Sequence, residues 1–243
     1  MKNQTAWAPT KFEISRGRLR GSRDDRELGV GSRLISDLVA AQYDRHLRPH
    51  ATGRLLDLGC GKVPLYSAYA SYVTEITCVD WAPGEHIDVH CDLSQPLPFD
   101  DARFDSIILS DVLEHIAEPD LLWREMTRIL APSGTIVMNV PFYYSVHAHP
   151  NDYYRYTNFA LERFVQTNGL KLLYLVPVGG VVEIFGDLTA KVLSKGGRIG
   201  ESLAAFTQTV VLHFGRTLIG ARVMRVSSRL FPLGYFMIAQ KPS

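Results

Sequence analysis

Cysteine is scarce in this chain: Cys60, Cys78 and Cys91 form no CxxC pair and leave one thiol over. That excludes a disulfide framework or a zinc knot and predicts a reducing compartment. No run of about 18 consecutive apolar residues occurs, so a membrane-spanning helix is excluded. The opening stretch, MKNQTAWAPTKFEISRGRLRGSRDD, lacks the apolar core of a secretory signal, which predicts a cytoplasmic protein. Net charge is lacking too. At +1 over 243 residues, the chain has no basic excess for general phosphate contacts, and no nucleic-acid partner is expected. Charged residues make up 21% and hydrophobic ones 46%, which leaves no room for a disordered or low-complexity class.

The neutral total conceals a pattern. Residues 1–33 carry eight Lys/Arg against four Asp/Glu, and residues 185–231 carry seven against two. Residues 54–130 carry five against fourteen. An acidic middle between basic ends is either a solvated surface or a pocket for a cationic ligand.

Strand and helix signals alternate. A helix is expected over RLISDLVAAQYDRHL with Ser32 as its cap, then a short strand RLLDLG, then a helix from Pro64 to about Tyr72. Strands EITCVD and HIDVHCD follow, and FDSIILSD is apolar enough for burial on both faces. PDLLWREMTRIL reads as a helix ended by Pro132 and Gly134, and TIVMNV as the next strand. Asn158 is the expected cap of FALERFVQTN, before the strands LKLLYLVPV and GYFMIAQ. The fold class is therefore α/β: a doubly wound, mostly parallel, Rossmann-like sheet with ligands at the carboxyl ends of its strands. Residues 1–31 form a basic arm and 32–243 one domain, with a helical insertion at about 181–232.

Chemistry concentrates where the first core strand ends. In LLDLGCGKVP, Asp57, Gly59 and Gly61 make an acidic, glycine-rich turn between strand and helix, and glycines there let backbone approach a ligand. Asp80, nineteen residues past Gly61, ends the next strand where a carboxylate reaches a ribose diol. The third glycine of a dinucleotide fingerprint is missing, because position 64 is proline. Asp57 would also repel a pyrophosphate and attract a sulfonium.

These residues resemble class I S-adenosylmethionine-dependent methyltransferases, over roughly Gly53 to Val178 and the last strand. LLDLGCG is similar to the family's first motif, CVDW to its ribose-binding acid, HCDLSQPLPFDDARFDSIILSDVLEHI to its adenine loop and fourth motif, and RILAPSGTIVMNVPF to its strand-five signature. The resemblance implies a seven-stranded sheet with an antiparallel last strand, S-adenosylmethionine as cofactor, and methyl transfer to a small acceptor. It further implies that Asp57, Gly59 and Gly61 cradle the methionine end and Asp80 the ribose. Asp92 and Leu93 would hold the adenine, Ser110 and Asp111 the floor beneath the methionine, and Trp81 would stack near the adenosine.

The loop after strand TIVMNV places His147, His149, Asp152, Tyr153, Arg155 and Tyr156 within ten residues. A hydroxyl acceptor must lose a proton, and an imidazole oriented by a carboxylate can take it. His149, then His147, is the expected base. Asp152, Tyr153, Arg155 and Tyr156 are expected to bind the acceptor, a hydroxyl of a sugar or secondary metabolite. A metal site of His147, His149 and Asp152 has no supporting ligand cluster elsewhere in the sequence, and none is expected. His115 reads first as a packed helix-face residue. The rival readings are a non-catalytic binding module on the same fold and a nicotinamide oxidoreductase.

In ESLAAFTQTVVLHFGRTLIGARVMRVSSRL, Leu203, Phe206, Val210, Phe214, Leu218 and Val226 recur near helical spacing beside Arg216, Arg222, Arg225 and Arg229. The stripe is either lid or homodimer packing or, through about residues 200–230, contact with a membrane surface.

Overall fold

A computed structural model describes residues 1–243. In chain order the elements are β1 (Phe12–Ser15), β2 (Arg18–Gly21), α1 (Arg33–His50), β3 (Arg54–Leu58), α2 (Tyr66–Tyr69), β4 (Glu75–Asp80), β5 (Val89–His90), β6 (Phe104–Ser110), α3 (Pro119–Ile129) and β7 (Leu130–Pro141). Then come α4 (Asn158–Thr167), β8 (Lys171–Val178), α5 (Val181–Leu193), α6 (Gly197–Arg216), α7 (Leu218–Ser227) and β9 (Gly234–Gln240). The chain divides into a sheet unit (residues 1–8, 45–176 and 235–243) and a helical unit (9–44 and 177–234).

The sheet unit is built on seven strands in the order β5-β4-β3-β6-β7-β9-β8. β3 pairs in parallel with β4 on one side and β6 on the other, so the strand order reverses at β3. That reversal opens a crevice beyond the carboxyl ends of β3 and β6. The central strands are apolar on both faces: Leu55, Leu56, Leu58, Ile107, Ile108 and Leu109 are all fully buried. β9 runs antiparallel, and Lys241 just beyond it exchanges backbone bonds with Ser133 and Gly134.

Helix α3 shows how sequence becomes packing. Pro119 suits its first turn, and Leu122, Trp123, Met126 and Ile129 line one buried face. Trp123 stacks on Phe164 at 5.6 Å, and truncating so large a buried side chain costs about 3–5 kcal/mol.

Several element boundaries differ from the sequence reading. α3 ends because Leu130 turns extended, and Pro132 and Gly134 lie inside the long strand β7 rather than terminating the helix. Thr157, not Asn158, caps α4, its hydroxyl accepting from the Ala160 amide. α2 is one turn, because after Pro64 the chain proceeds by isolated turns. The strand in HIDVHCD shrinks to the two residues of β5. Residues 1–8 are ordered: the Met1 amino group pairs with Asp88 at 2.7 Å, and Trp7 donates from Nε1 to the Val63 carbonyl.

The helical unit contains the β1–β2 hairpin, the start of α1, and α5 to α7. Three arginines around the hairpin are spent locally: Arg20 pairs with Glu13, Arg23 with Asp37, and Arg33 with Asp25. α5 and α6 approach closely at Gly186, where a Cβ would stand 2.7 Å from Val211. One buried cluster of this unit is formed by Val30, Ala190 and Ala204. The expected single helix after Gly200 breaks at Thr217, which caps α7. Its apolar stripe is not core within this chain: Phe206 is 66% exposed and Leu218 93%, while Ala204, Gln208 and Val211 point inward.

Candidate active site

Gly59 and Gly61 both take positive φ, +74° and +51°, which turns the chain sharply out of β3. A Cβ on Gly59 would meet Val112 at 2.6 Å, so the turn tolerates no side chain. The amides of Gly59 and Cys60 bond to the Val79 carbonyl, and the Gly61 amide donates to Asp80 at 2.7 Å. Asp80 also accepts from the Ala82 amide, so one carboxylate ties the glycine turn to the end of β4.

Above this turn lies a cavity of about 600 Å³. Gly59, Asp80, Trp81, Asp92, Leu93 and Asp111 line it, which brings together six of the nine expected cofactor residues. Trp81 is 67% exposed at its edge. Asp92 accepts from the Ser94 amide and so turns its own loop. Asp111 sits at φ +55° after β6, its amide bonded to the Asn139 carbonyl and its carboxylate accepting from the Asn139 side chain. Asn139, on neighbouring β7, was not foreseen; its only signal was a polar residue inside an apolar strand.

Gly61, Ser110 and Asp57 are not among the lining residues. Asp57 is buried beneath the turn and accepts from the Tyr69 hydroxyl at 2.8 Å. Burial pushes its carboxyl up to about 7, against the lowering effect of the Tyr69 bond. The negative charge facing the cavity therefore comes from Asp80, Asp92 and Asp111 rather than from Asp57.

The far end of the cavity is walled by His115, Ile116, Ala117, Ala148, Asn151 and Tyr153. Behind His115 stands Glu114, with a fully buried side chain, and then His147, whose ring meets that of His115 edge-on at 4.8 Å. The loop is fastened to this point by its backbone, since the Tyr153 and Tyr154 amides both donate to the Glu114 carbonyl. Asp152 accepts from the His147 amide and from two nitrogens of Arg155. The Arg155 guanidinium holds that carboxyl well below the usual carboxylate range. Tyr156 is buried, donates to the Leu113 carbonyl, and is pushed upward by burial. It supports the loop rather than lining the cavity, as do Asp152 and Arg155.

His149 is exposed and outside the cavity wall, so the structure joins His147, not His149, to the carboxylates. Glu114 had no role in the sequence reading and His115 only a packing one. The signal was present in the Glu-His pair of DVLEHI, but a buried carboxylate cannot be told from a solvated one in sequence alone.

The methyltransferase-domain family matches residues 56–138. Among curated proteins, a ubiquinone biosynthesis O-methyltransferase of Cereibacter sphaeroides is 29% identical over 119 residues, 42% of this chain and 48% of that protein. The chain thus matches about half the length of the curated relatives it resembles. Among solved structures, an S-adenosylmethionine-dependent methyltransferase from Mesorhizobium loti is similar at a TM-score of 0.53 and 14% identity, over 86% of this chain and all of that one. A Haemonchus contortus phosphoethanolamine N-methyltransferase 2, solved with S-adenosyl-L-methionine, is similar at 0.54 and 14%, over 90% of this chain and 57% of that one. At such identities the structures establish the fold.

Proposed function

We propose, for a chain that carries a methyltransferase domain of the class I S-adenosylmethionine-dependent family, that it transfers the methyl group of S-adenosylmethionine to a hydroxyl of a small acceptor. The observation that carries this reading is the single cavity walled by the Gly59 turn and by Asp80, Asp92 and Asp111. The bare backbone there would admit the methionine end closely, Asp80 at the end of β4 is where a carboxylate would meet a ribose, and the acidic wall favours a sulfonium over a pyrophosphate.

The reaction is an in-line displacement. The acceptor oxygen forms a bond to the methyl carbon, the carbon–sulfur bond breaks, and its electron pair neutralises the sulfonium to a thioether. One proton must leave the hydroxyl. Holding the two reactants in line supplies most of what the enzyme contributes, because the sulfonium is already a good leaving group. The acceptor lies at the His115 end, where His115 forms part of the cavity wall with Glu114 and His147 beside it. Oxygen as the methylated atom is supported by the name of the Cereibacter relative, and His115, Asn151 and Tyr153 of the otherwise apolar far wall could hydrogen-bond a sugar or secondary-metabolite hydroxyl.

A lipid-borne acceptor is favoured by a separate observation. Phe206, Leu218 and Ile219 are exposed on α6 and α7, and Arg216, Arg222 and Arg225 beside them are exposed and make no ion pair. An apolar face fringed by cations fits an anionic lipid surface. No helix of the chain is long and apolar enough to cross a membrane.

Calorimetry with S-adenosylhomocysteine and with NAD tests the cofactor. Binding of the first alone is expected, and binding of neither would sink the proposal. Transfer of labelled methyl from S-adenosylmethionine to phenolic and sugar hydroxyls then separates an enzyme from a non-catalytic binding module.

A further inference from the structure

Three ligand-bearing side chains converge beside the cavity. Glu114 Oε1 lies 3.6 Å from His115 Nε2 and 3.9 Å from His147 Nε2, and one ligand atom of each of the three residues falls within 4.8 Å of the others. The Glu114 side chain is fully buried, while His115 and His147 retain 21% and 32% exposure, so the cluster is shielded on one side and open on the other.

The outer nitrogen of each imidazole faces acceptors only. His115 Nδ1 is 2.7 Å from the Asn151 carbonyl. His147 Nδ1 is 3.1 Å from the Ser145 carbonyl and 3.3 Å from the Asp152 carboxylate. A carbonyl or carboxylate oxygen there requires the proton on Nδ1, which leaves a lone pair on Nε2 of each neutral ring. Two such lone pairs and a carboxylate oxygen are then gathered in one place, a donor set that suits a shared cation. A direct imidazolium–carboxylate bond would close to about 2.7–2.9 Å, well short of the spacings seen. Ligand atoms spread tetrahedrally around an ion with bonds of about 2.1 Å stand about 3.4 Å apart, close to the two carboxylate–imidazole spacings, and the two imidazoles would draw together on the ion.

We propose that Glu114, His115 and His147 bind a divalent first-row transition ion through one oxygen and two Nε2 atoms. Two imidazoles and one carboxylate suit zinc, cobalt or iron rather than magnesium or calcium. The Asn151 and Ser145 carbonyls and Asp152 are the outer groups that fix ring orientation, the usual surroundings of histidine ligands, and Arg155 fixes Asp152 in turn. Asp152 and His147, grouped as co-ligands in the sequence reading, thus take different places, and His149 takes none. Three protein ligands leave a position for an oxygen from outside, and His115 belongs to both the cluster and the cavity wall. A hydroxyl bound in that position has its pKa lowered and loses its proton to water, with both imidazoles acting as ligands rather than bases. That role rests on the proposed methyl transfer; ion binding does not.

The test is equilibrium dialysis of chelator-stripped protein against Zn²⁺, with Co²⁺ as a spectroscopic probe. One ion per chain is expected, with a visible Co²⁺ absorption of low-coordinate type. His115→Ala and His147→Ala should each weaken binding at least 100-fold, and Asp152→Asn by about 10–100-fold. All should keep the circular-dichroism spectrum and cooperative thermal unfolding of the parent protein, which checks that they fold. Absence of any Co²⁺ spectrum from the unsubstituted protein at excess ion overturns the site without reference to a variant, as does stoichiometric binding that survives loss of both histidines. Methyl transfer that proceeds in full without an ion overturns the ion's part in the reaction and spares the enzyme. A bound ion with no transfer to any hydroxyl spares the site and sinks the enzyme.

Discussion

Arg155 grips Asp152 with two guanidinium nitrogens, at 2.6 and 2.8 Å, and so fixes the carboxylate beside the His147 ring. Three residues of one loop are thereby ordered as a unit. The pair is bidentate and its carboxylate is nearly inaccessible, which separates it from the ordinary surface ion pair of little worth. Asp152→Asn keeps the shape but loses the charge, and kcat for methyl transfer should fall about 10–100-fold with the affinity for S-adenosylhomocysteine unchanged. Steady-state kinetics beside calorimetry check it. Equal losses in both would place Asp152 at the cofactor instead.

Asp57 makes stability depend on pH in an unusual sense. Its folded pKa of about 7 stands above the 3.8 of a free aspartate, so the native protein holds a proton that the unfolded chain has released between those values. Stability therefore falls as pH rises from about 4 to about 7 and levels off above, by up to about 4 kcal/mol from this group. Asp57→Asn still accepts the Tyr69 hydroxyl. It should raise Tm at pH 8, leave Tm unchanged near pH 4, and flatten the slope between. A Tm loss at pH 8 would show that the ionised carboxylate is needed.

Gly59→Ala carries two penalties, a positive φ and a Cβ 2.6 Å from Val112. A stability loss of about 1–3 kcal/mol is expected, together with weakening of S-adenosylhomocysteine binding of at least 100-fold. Denaturant unfolding and calorimetry on the same sample check both. Gly61→Ala has open space around its Cβ and should be milder.

Trp81 presents a wide ring at the cavity edge and is not buried in the core. Trp81→Ala should leave unfolding stability within about 0.5 kcal/mol of the parent and weaken S-adenosylhomocysteine binding about tenfold. Unchanged affinity would remove this residue from the adenosine site.

Vesicles provide the check on the helical face. Sedimentation with anionic phosphatidylglycerol vesicles, but not with phosphatidylcholine, is expected, and Arg222→Glu with Arg225→Glu should abolish it, because each juxtamembrane cation contributes about 1 kcal/mol. Phe206→Ser should weaken it further. A salt-independent dimer with no vesicle binding would identify the face as a subunit contact.

The core of the fold was legible from local pattern. β3, β6 and β9 lie where their apolar runs predict, because strands buried on both faces are mostly apolar, and β4 lies where expected although only its second half is buried. The glycine turn was legible for a similar reason, since few residues other than glycine follow a strand with positive φ. Boundaries were less so: Pro132 sits in β7 and Asn158 within the first turn of α4, where neighbouring strands and the Thr157 hydroxyl outweigh local propensity.

What the sequence by itself determined is the α/β sheet, the glycine turn and the acidic end of β4, each written in contiguous residues. Which charges face the cavity was decided only in three dimensions: Asp57 turns under the loop onto Tyr69, while Asp111, at a positive φ beside Asn139, turns toward the cavity. The far end was likewise hidden. Glu114 and His147 are thirty-three residues apart, and no local rule brings a helical-turn carboxylate to a loop imidazole. Burial and long-range contact are properties of the folded chain, and there the choice between His147 and His149 was made.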